Sequence, residues 1–522
     1  MSLNLAELPL RSAERHPDLP AIRLGELTIS YSQLAAQIQA CANVLATHGI
    51  GRGDHVGLIM PNVPQFPVGY YGILATGATV VPMNVLFVAD EVAYHLGDSD
   101  AKALIVWSGF LTEALEGAQR AGNVQVFVVR APGFADPLPE GCVDLAAAMA
   151  AAGRTGFDPC ASGPDDTAVI LYTSGTTGRP KGAELTHFNL YDNARFVAER
   201  LFQREPGSLR LLGPGDVGLA ALPLFHSFGQ TVLQNGFLMS GATISLLPRF
   251  SATDAAKLIR AHRVTFFAGV PTMYIALLAD SLATREQFES LSYAVSGGAA
   301  LPVEVLHGFE QKFGVPIQEG YGLSETSPVA CFNTLMLERK PGTVGPAISL
   351  CEVRILNDDW APLPLGERGE IAIRGTNIMK GYYKRPEETA EVLRDGWFRT
   401  GDIGVMDEDG RVSVVDRKKE MILRGGFNIY PREIEEVLYG HPDIVEAAVI
   451  GVPSETHGEE VMAVVALRSG ASMDHEAMET YTREHLAAYK VPRLSAFLDT
   501  LPKGPTGKIL KREIKARFAQ TN

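Results

Sequence analysis

Between Tyr172 and Gly182 the chain gathers three glycines (Gly175, Gly178, Gly182), four small hydroxyls (Thr173, Ser174, Thr176, Thr177) and two cations (Arg179, Lys181). That combination suits a polyphosphate. Glycines let backbone N–H groups approach phosphate oxygens closely. Hydroxyls donate hydrogen bonds to those oxygens or hold Mg2+ through oxygen, and the cations neutralise charge. The apolar run TAVILY (167–172) leads into the loop as a strand, and a helix is expected to restart near Thr186. A flexible surface loop rich in Gly, Ser and Thr seldom combines strand entry, this density of hydroxyls and paired cations. The GxxxxGK[ST] spacing of a Walker loop is absent.

Further stretches follow in order: PLFHSFG (223–229), SGGAAL (296–301), EGYGLSET (319–326), DGWFRTGD (395–402), VDRKKEMI (415–422), LRGGFNIYPREIE (423–435) and LPKGPTGKILKRE (501–513). Each has a bland reading alone. A lone His226 after an apolar strand is usually structural, and SGGAAL is a plausible strand–turn–helix crossing. The run Asp416–Glu420 is a solvated charge run, and Lys503, Lys508, Lys511 and Arg512 are a solvated helix end. As one ordered series they carry more. YTSGTTGRPKG resembles the signature of the adenylate-forming superfamily of acyl-CoA synthetases, luciferases and peptide-synthetase adenylation domains, and the similarity continues through nearly the whole chain to Lys508.

The resemblance implies roles. Thr173, Ser174, Gly175, Thr176, Thr177, Gly178 and Lys181 would cradle the phosphates of ATP. Thr176 and Glu325 would hold Mg2+. His226 would sit beside the phosphates and the acyl carboxylate; histidine where peptide-synthetase domains carry aspartate argues against an amino-acid substrate. Gly297 and Gly298 would lie against the adenine, as would Glu319, Gly320 and Tyr321, the last by stacking. Ser324 would contact the α-phosphate, and Asp402 with Arg417 would hold the ribose. Phe225, His226, Gly298, Ala299 and Gly322 would line the acyl pocket. Acetyl-CoA synthetases carry tryptophan where this chain has Gly322, so a deeper pocket and an acid larger than propionate are expected. Lys508 matches the lysine that bridges carboxylate and α-phosphate. Gly425 and Gly426 would line the pantetheine tunnel after a domain rotation about a hinge near Lys419. Many aryl-CoA ligases have lysine where this chain has Leu423.

The implied chemistry is ATP-dependent activation of a carboxylic acid to an acyl-adenylate, followed by thioester formation with coenzyme A. ATP, Mg2+ and coenzyme A are the expected cofactors and co-substrates. Lys508, His226, Lys181 and Glu325 are the expected catalytic residues. YGLSETSP and GGFNIYPREIEEVL look most like bacterial fatty-acid-CoA ligases, so a medium- or long-chain fatty acid is favoured, with an aryl or arylpropenoic acid as runner-up. A carrier-protein acceptor and a non-catalytic acyl or nucleotide binder are the competing readings; the binder would be expected to have lost Glu325, Asp402 or Lys508. Lys508, read as exposed on a mobile tail, is a candidate substrate for a protein acetyltransferase, because acetylation removes the needed charge. A homodimer is kept open.

These residues need a scaffold. HVGLIM (55–60), VVPMN (80–84), ALIVW (103–107), VQVFVV (124–129), ATISLL (242–247) and VTFFAGV (264–270) are apolar strands separated by amphipathic helices, which predicts parallel α/β layers. Leu34, Ile38, Cys41 and Leu45 mark one helix, capped by Ser32 and ended by Gly49. After residue 340, VRILN, GEIAIRG and RVSVVD lie close together, with DEDG (407–410) as a hairpin turn, which predicts a small β-rich subdomain. From 418 a separate small α/β domain follows. The expected domains are therefore 1–417 and 418–522. The chain has 522 residues, 46% hydrophobic and 20% charged, with a net charge of −14. That charge argues against general nucleic-acid binding. The five cysteines form no CxxC pair, so neither a disulfide framework nor a zinc site is expected. No signal peptide or apolar span is seen, and a cytoplasmic location is expected.

Overall fold

The computed structural model describes residues 3–122, 124–153, 156–173, 179–201, 211–334, 336, 338–454 and 456–518. Two eight-stranded, mostly parallel sheets dominate. One runs Gly381–Tyr382, Lys181–Thr186, Thr167–Thr173, Thr79–Pro82, His55–Ile59, Ala101–Trp107, Gln125–Val129, Val143–Asp144. The other runs Val329–Phe332, Ile317–Gly322, Tyr293–Ser296, Phe266–Gly269, Val217–Ala220, Thr243–Leu246, Pro20–Leu24, Leu27–Ser30. The apolar runs sit at central positions, where both faces are covered and nothing rewards polar alternation.

A single hydrophobic core spans both sheets. Helix Gln65–Ala75 lies inside it, with every residue after Gln65 buried, which explains a helical segment apolar on all sides. Helix Tyr31–Thr47 buries Leu34, Ile38, Cys41 and Leu45 as its spacing requires. Its cap is Ser30, not Ser32: the Ser30 hydroxyl accepts from the Gln33 N–H while Gln33 accepts from the Ser30 N–H. A capping box engages two orphan backbone donors, and Ser32, already inside the helix, cannot compete.

The β-rich section is a five-stranded antiparallel sheet. It includes Cys351–Leu356, Gly369–Gly375, Trp397–Met406 and Val412–Arg417, the last two joined through Asp407–Gly410. After the single turn Lys418–Glu420 the chain enters another five-stranded sheet. It is built on the hairpin of Ile444–Ser454 with Gly458–Leu467 and covered by helices Pro431–Tyr439, His475–His485 and Lys511–Phe518.

Candidate active site

The candidate residues converge where parallel strands of the second large sheet end. Strands Phe266–Gly269, Tyr293–Ser296 and Ile317–Gly322 run side by side in register. Their carboxyl ends deliver Val270, Gly297–Gly298 and Tyr321, the place where open α/β sheets receive ligands. Gly298 has φ +81°, a left-handed turn suited to glycine. Gly298 and Ala299 are exposed on the cleft side, whereas Phe225 is buried beneath.

The phosphate loop differs in form from the expected strand–loop–helix. Thr167–Thr173 returns antiparallel as Lys181–Thr186, with Thr173 opposite Lys181. The two strands thus form a hairpin. The helix His187–Phe196 restarts where expected, with Thr186 and Asn189 forming its capping box, and the intervening strand is what differs. Ser174, Gly175, Thr176, Thr177 and Gly178 lie outside the described residues. At the loop's flanks, the Tyr172 hydroxyl donates to Asp98 at 2.8 Å and the Tyr94 hydroxyl to the Pro180 carbonyl at 2.7 Å. Arg179 lies over the Tyr94 ring.

Glu325 is buried in the single turn Ser324–Thr326. Its Oε1 accepts from the Thr173 hydroxyl at 3.2 Å and from the Tyr382 hydroxyl at 3.0 Å. Both bonds fall on one oxygen, so neither donor occupies Oε2. Lys181 lies 5.3 Å from the centre of the Tyr382 ring. Among the described residues no group of three His, Cys, Asp or Glu could cage a metal. One oriented carboxylate among hydroxyls instead fits Mg2+, which keeps waters and takes substrate phosphates as ligands.

The opposite wall is a polar chain centred on the buried Asp402. The Tyr321 hydroxyl donates to Asp402 Oδ2 at 2.6 Å, and Arg417 Nε lies 3.4 Å from Oδ1. Asp402 and Arg417 face each other across the antiparallel pair Trp397–Met406 and Val412–Arg417. Burial raises the Asp402 carboxyl above its ordinary range, opposed by Arg417. Glu319 is buried under the charges of Arg432 and Glu436 of the small domain and of Arg339; burial pushes its carboxyl up to about 7, with Arg432 opposing.

Lys508 enters this cleft from the small domain. The turn Gly504–Lys508 is closed by the Gly504 N–H on the Lys508 carbonyl at 2.8 Å, and the Thr272 hydroxyl donates to the Gly507 carbonyl at 2.8 Å. A methyl at Gly298 would meet Lys508 Cε at 3.0 Å. Burial, then the charge of Arg417, pushes the Lys508 ammonium down to about 8, with Asp402 opposing. Burial, then Lys508, pushes His226 down to about 3, so His226 is a neutral imidazole at physiological pH. The expectation of an exposed Lys508 on a mobile tail is thereby corrected: it is tucked into the cleft and tied down by Thr272.

Gly425 and Gly426, expected at the site only after a domain rotation, stand exposed at a hairpin tip with φ of +55° and +85°, held by the Gly425 N–H on the His457 carbonyl. One other expectation changes. At Gly322 a methyl would lie 1.7 Å from the Pro328 carbonyl oxygen. Glycine there is required by the close backbone, and pocket depth cannot be read from the absent indole. Residues that sequence reasoning missed are Tyr382 and Thr272. The doublet Gly381-Tyr382 follows the strand GEIAIRG, but an aromatic in a turn has no period that marks it.

A family model described as AMP-binding enzyme matches residues 10–383, and one described as AMP-binding enzyme C-terminal domain matches 433–508. A long-chain-fatty-acid–CoA ligase of Bacillus subtilis (strain 168) is 36% identical over 96% of this chain and 92% of its own. A feruloyl-CoA synthase of Amycolatopsis sp is 36% identical over 98% and 99%. The ATP-bound crystal structure of MatB from Rhodopseudomonas palustris is similar at TM-score 0.88 and 32% identity, covering 100% of both chains. The apo structure of MatB gives 0.78 at the same identity and coverage. The chain belongs to the family of AMP-binding enzymes and carries the C-terminal domain of that family.

Proposed function

We propose that the chain is an AMP-forming acid–thiol ligase that activates a medium- or long-chain fatty acid with ATP and passes the acyl group to coenzyme A. A carboxylate is a poor electrophile because its leaving group would be hydroxide. Attack of its oxygen on the α-phosphorus of ATP forms a mixed anhydride and releases pyrophosphate. The CoA thiolate then attacks the acyl carbon and AMP leaves. The first step concentrates negative charge, so stabilisation comes from placed cations and from orientation.

One observation carries this reading: Lys508 reaches the cleft that holds Gly298, His226 and the Tyr321–Asp402–Arg417 chain. In it Lys508 bridges the carboxylate and α-phosphate, Lys181 faces the outer phosphates, and Asp402 accepts from the ribose hydroxyls. His226 stays neutral and hydrogen-bonds without adding charge. Glu325, with Thr176, would hold Mg2+, which neutralises the departing pyrophosphate. The higher TM-score to the ATP-bound MatB than to its apo form supports reading this arrangement as the orientation for the first step.

Domains 1–417 and 418–522 with a pivot near Lys419 are supported by the sheet change across Lys418–Glu420. Rotation there would withdraw Lys508 and bring in Gly425–Gly426. Only after rotation would a protein acetyltransferase reach Lys508. Among the described residues no helix is long and apolar enough to cross a membrane and all five thiols are free, which supports a cytoplasmic location.

A second reading, an arylpropenoic or otherwise polar acid, has its own observation. The helical segment Phe228–Asn235 that follows His226 buries the side-chain amide of Gln230 and the Thr231 hydroxyl with no partner among the described residues. Such groups call for water or a polar substituent. The feruloyl-CoA synthase relative fits this alternative.

The test measures pyrophosphate release and CoA-thiol loss in parallel, with acids from acetate to palmitate plus cinnamate, coumarate and ferulate. Coupled signals with C8–C16 acids support the first reading and coupled signals with arylpropenoates the second. Pyrophosphate without thiol loss overturns CoA as acceptor.

A further inference from the structure

Tyr382 belongs to none of the motifs that marked the site. It lies in the segment Met379–Tyr383, which is fixed by its backbone on two sides. Lys380 N–H donates to the Glu184 carbonyl at 2.9 Å and Tyr383 N–H to the Gly182 carbonyl at 2.8 Å. These bonds pair the segment with the strand that begins at Lys181. On the other side, Met379 N–H donates to the Glu325 carbonyl at 2.8 Å. Tyr382 N–H is itself held by the Thr389 hydroxyl at 2.9 Å.

From this fixed base the Tyr382 side chain touches both charged groups of the phosphate end. Its hydroxyl donates to Glu325 Oε1 at 3.0 Å, and its ring lies 5.3 Å from Lys181 Nζ. We propose that Tyr382 is a positioning residue for adenylation: it aims the Glu325 carboxylate at Mg2+ and holds the Lys181 ammonium beside the nucleotide phosphates. This rests on the reading of Glu325 as the Mg2+ carboxylate.

The physical case is direct. A glutamate with Oε1 tied by two hydroxyls has the direction of its second oxygen set before the cation arrives. Without the tie, the side chain must be ordered at the moment of binding. Partners of this kind matter to a metal ligand nearly as much as the ligand itself, and their loss costs roughly 10- to 100-fold in metal affinity. The ring adds a separate function, because an aromatic face attracts an ammonium without competing for its hydrogen bonds to phosphate.

The experiment uses full-length enzyme, the variants Y382F, Y382L and E325Q, and Mn2+ as a paramagnetic substitute for Mg2+. Mn2+ binding is read by electron paramagnetic resonance in the presence of α,β-methylene-ATP. The Mg2+ dependence of pyrophosphate release is followed separately. AMP binding in EDTA and the melting temperature report on folding. Y382F should weaken Mn2+ binding about tenfold and raise half-saturating Mg2+ by a similar factor. Its rate at saturating Mg2+, its AMP affinity and its melting temperature should stay close to wild type. Y382L should show the same loss plus a several-fold higher KM for ATP, since the ring over Lys181 is gone. E325Q should weaken Mn2+ binding more than either. If E325Q weakens Mn2+ binding and Y382F stays within twofold of wild type, the role of Tyr382 is overturned and the reading of Glu325 survives. If E325Q binds Mn2+ like wild type, both fall. If Y382F loses AMP affinity and thermal stability with no change in Mg2+ dependence, Tyr382 is a packing residue and the proposal fails.

Discussion

Two glycine-rich tips of the small domain are in opposite circumstances. The Gly504–Lys508 turn is inside the cleft, tied by Thr272 and carrying a lysine whose ammonium is destabilised by burial. The Gly425–Gly426 hairpin is outside, with nothing within 4 Å of a methyl at Gly426. Both belong to one rigidly paired unit, because Arg424 bonds to Glu460 and to the Tyr489 carbonyl, while Lys511 bonds to Glu435. In the proposed rotation, one tip would enter as the other leaves. In the proposed reaction this separates the two steps in time: the lysine serves adenylation and the glycines serve thioester formation.

The largest effect that would test this contrast is at Lys508. K508A should lower pyrophosphate release by roughly 10²- to 10³-fold, the size expected for loss of a placed charge-stabilising group. Transfer to CoA from acyl-adenylate supplied ready-made should stay within a few-fold of wild type, as single-turnover kinetics would reveal. Equal losses in both steps would break the contrast.

Gly426→Val should do the reverse. A branched side chain disfavours φ of +85° and would obstruct a pantetheine path. Thioester formation should fall on the order of tenfold or more, while acid-dependent pyrophosphate–ATP exchange is retained.

A third effect depends on pH. Lys508 is held at about 8 in the cleft against an ordinary 10.5. Between those values the cleft form binds fewer protons than a form with Lys508 in water, so rising pH favours the cleft form. The lysine in that form is then neutral. Adenylation at low ATP should therefore decline above pH 8, approaching tenfold per unit, even as the domain closes more readily. K508R should remove the decline, and a wild-type profile flat to pH 10 would count against the buried ammonium.

The smallest effect belongs to the tie. T272A removes one hydrogen bond to the Gly507 carbonyl, typically worth about 1 kcal/mol. Adenylation should slow about fivefold with no change in the CoA step.

The sequence made much of this legible. Long apolar runs marked the central strands because burial on both faces leaves one composition, and the ordered motifs marked Asp402, Arg417, Glu325 and Lys508. Four things were hidden. The strand Lys181–Thr186 has a mixed pattern, so the phosphate hairpin read as a loop running into a helix. The cap at Ser30 competed with an equally plausible Ser32 two positions on, and only the Gln33 side chain decides between them. Tyr382 and Thr272 act through single contacts across distant segments, which no local pattern records. The position of Lys508 was invisible for the same reason: exposure of a tail depends on what the tail meets.

The contact at Gly322 also limits how this enzyme can change. The Pro328 carbonyl fills the space where any side chain would begin. A lineage that shortened the acid by placing a bulky residue at 322 would first have to displace the neighbouring main chain, so no single substitution opens that path. Drift at this position is therefore conditional on drift at another. Altered acid preference in close relatives is expected to arise from pocket positions whose backbone leaves them room, and a designed library would gain more from those than from saturating position 322.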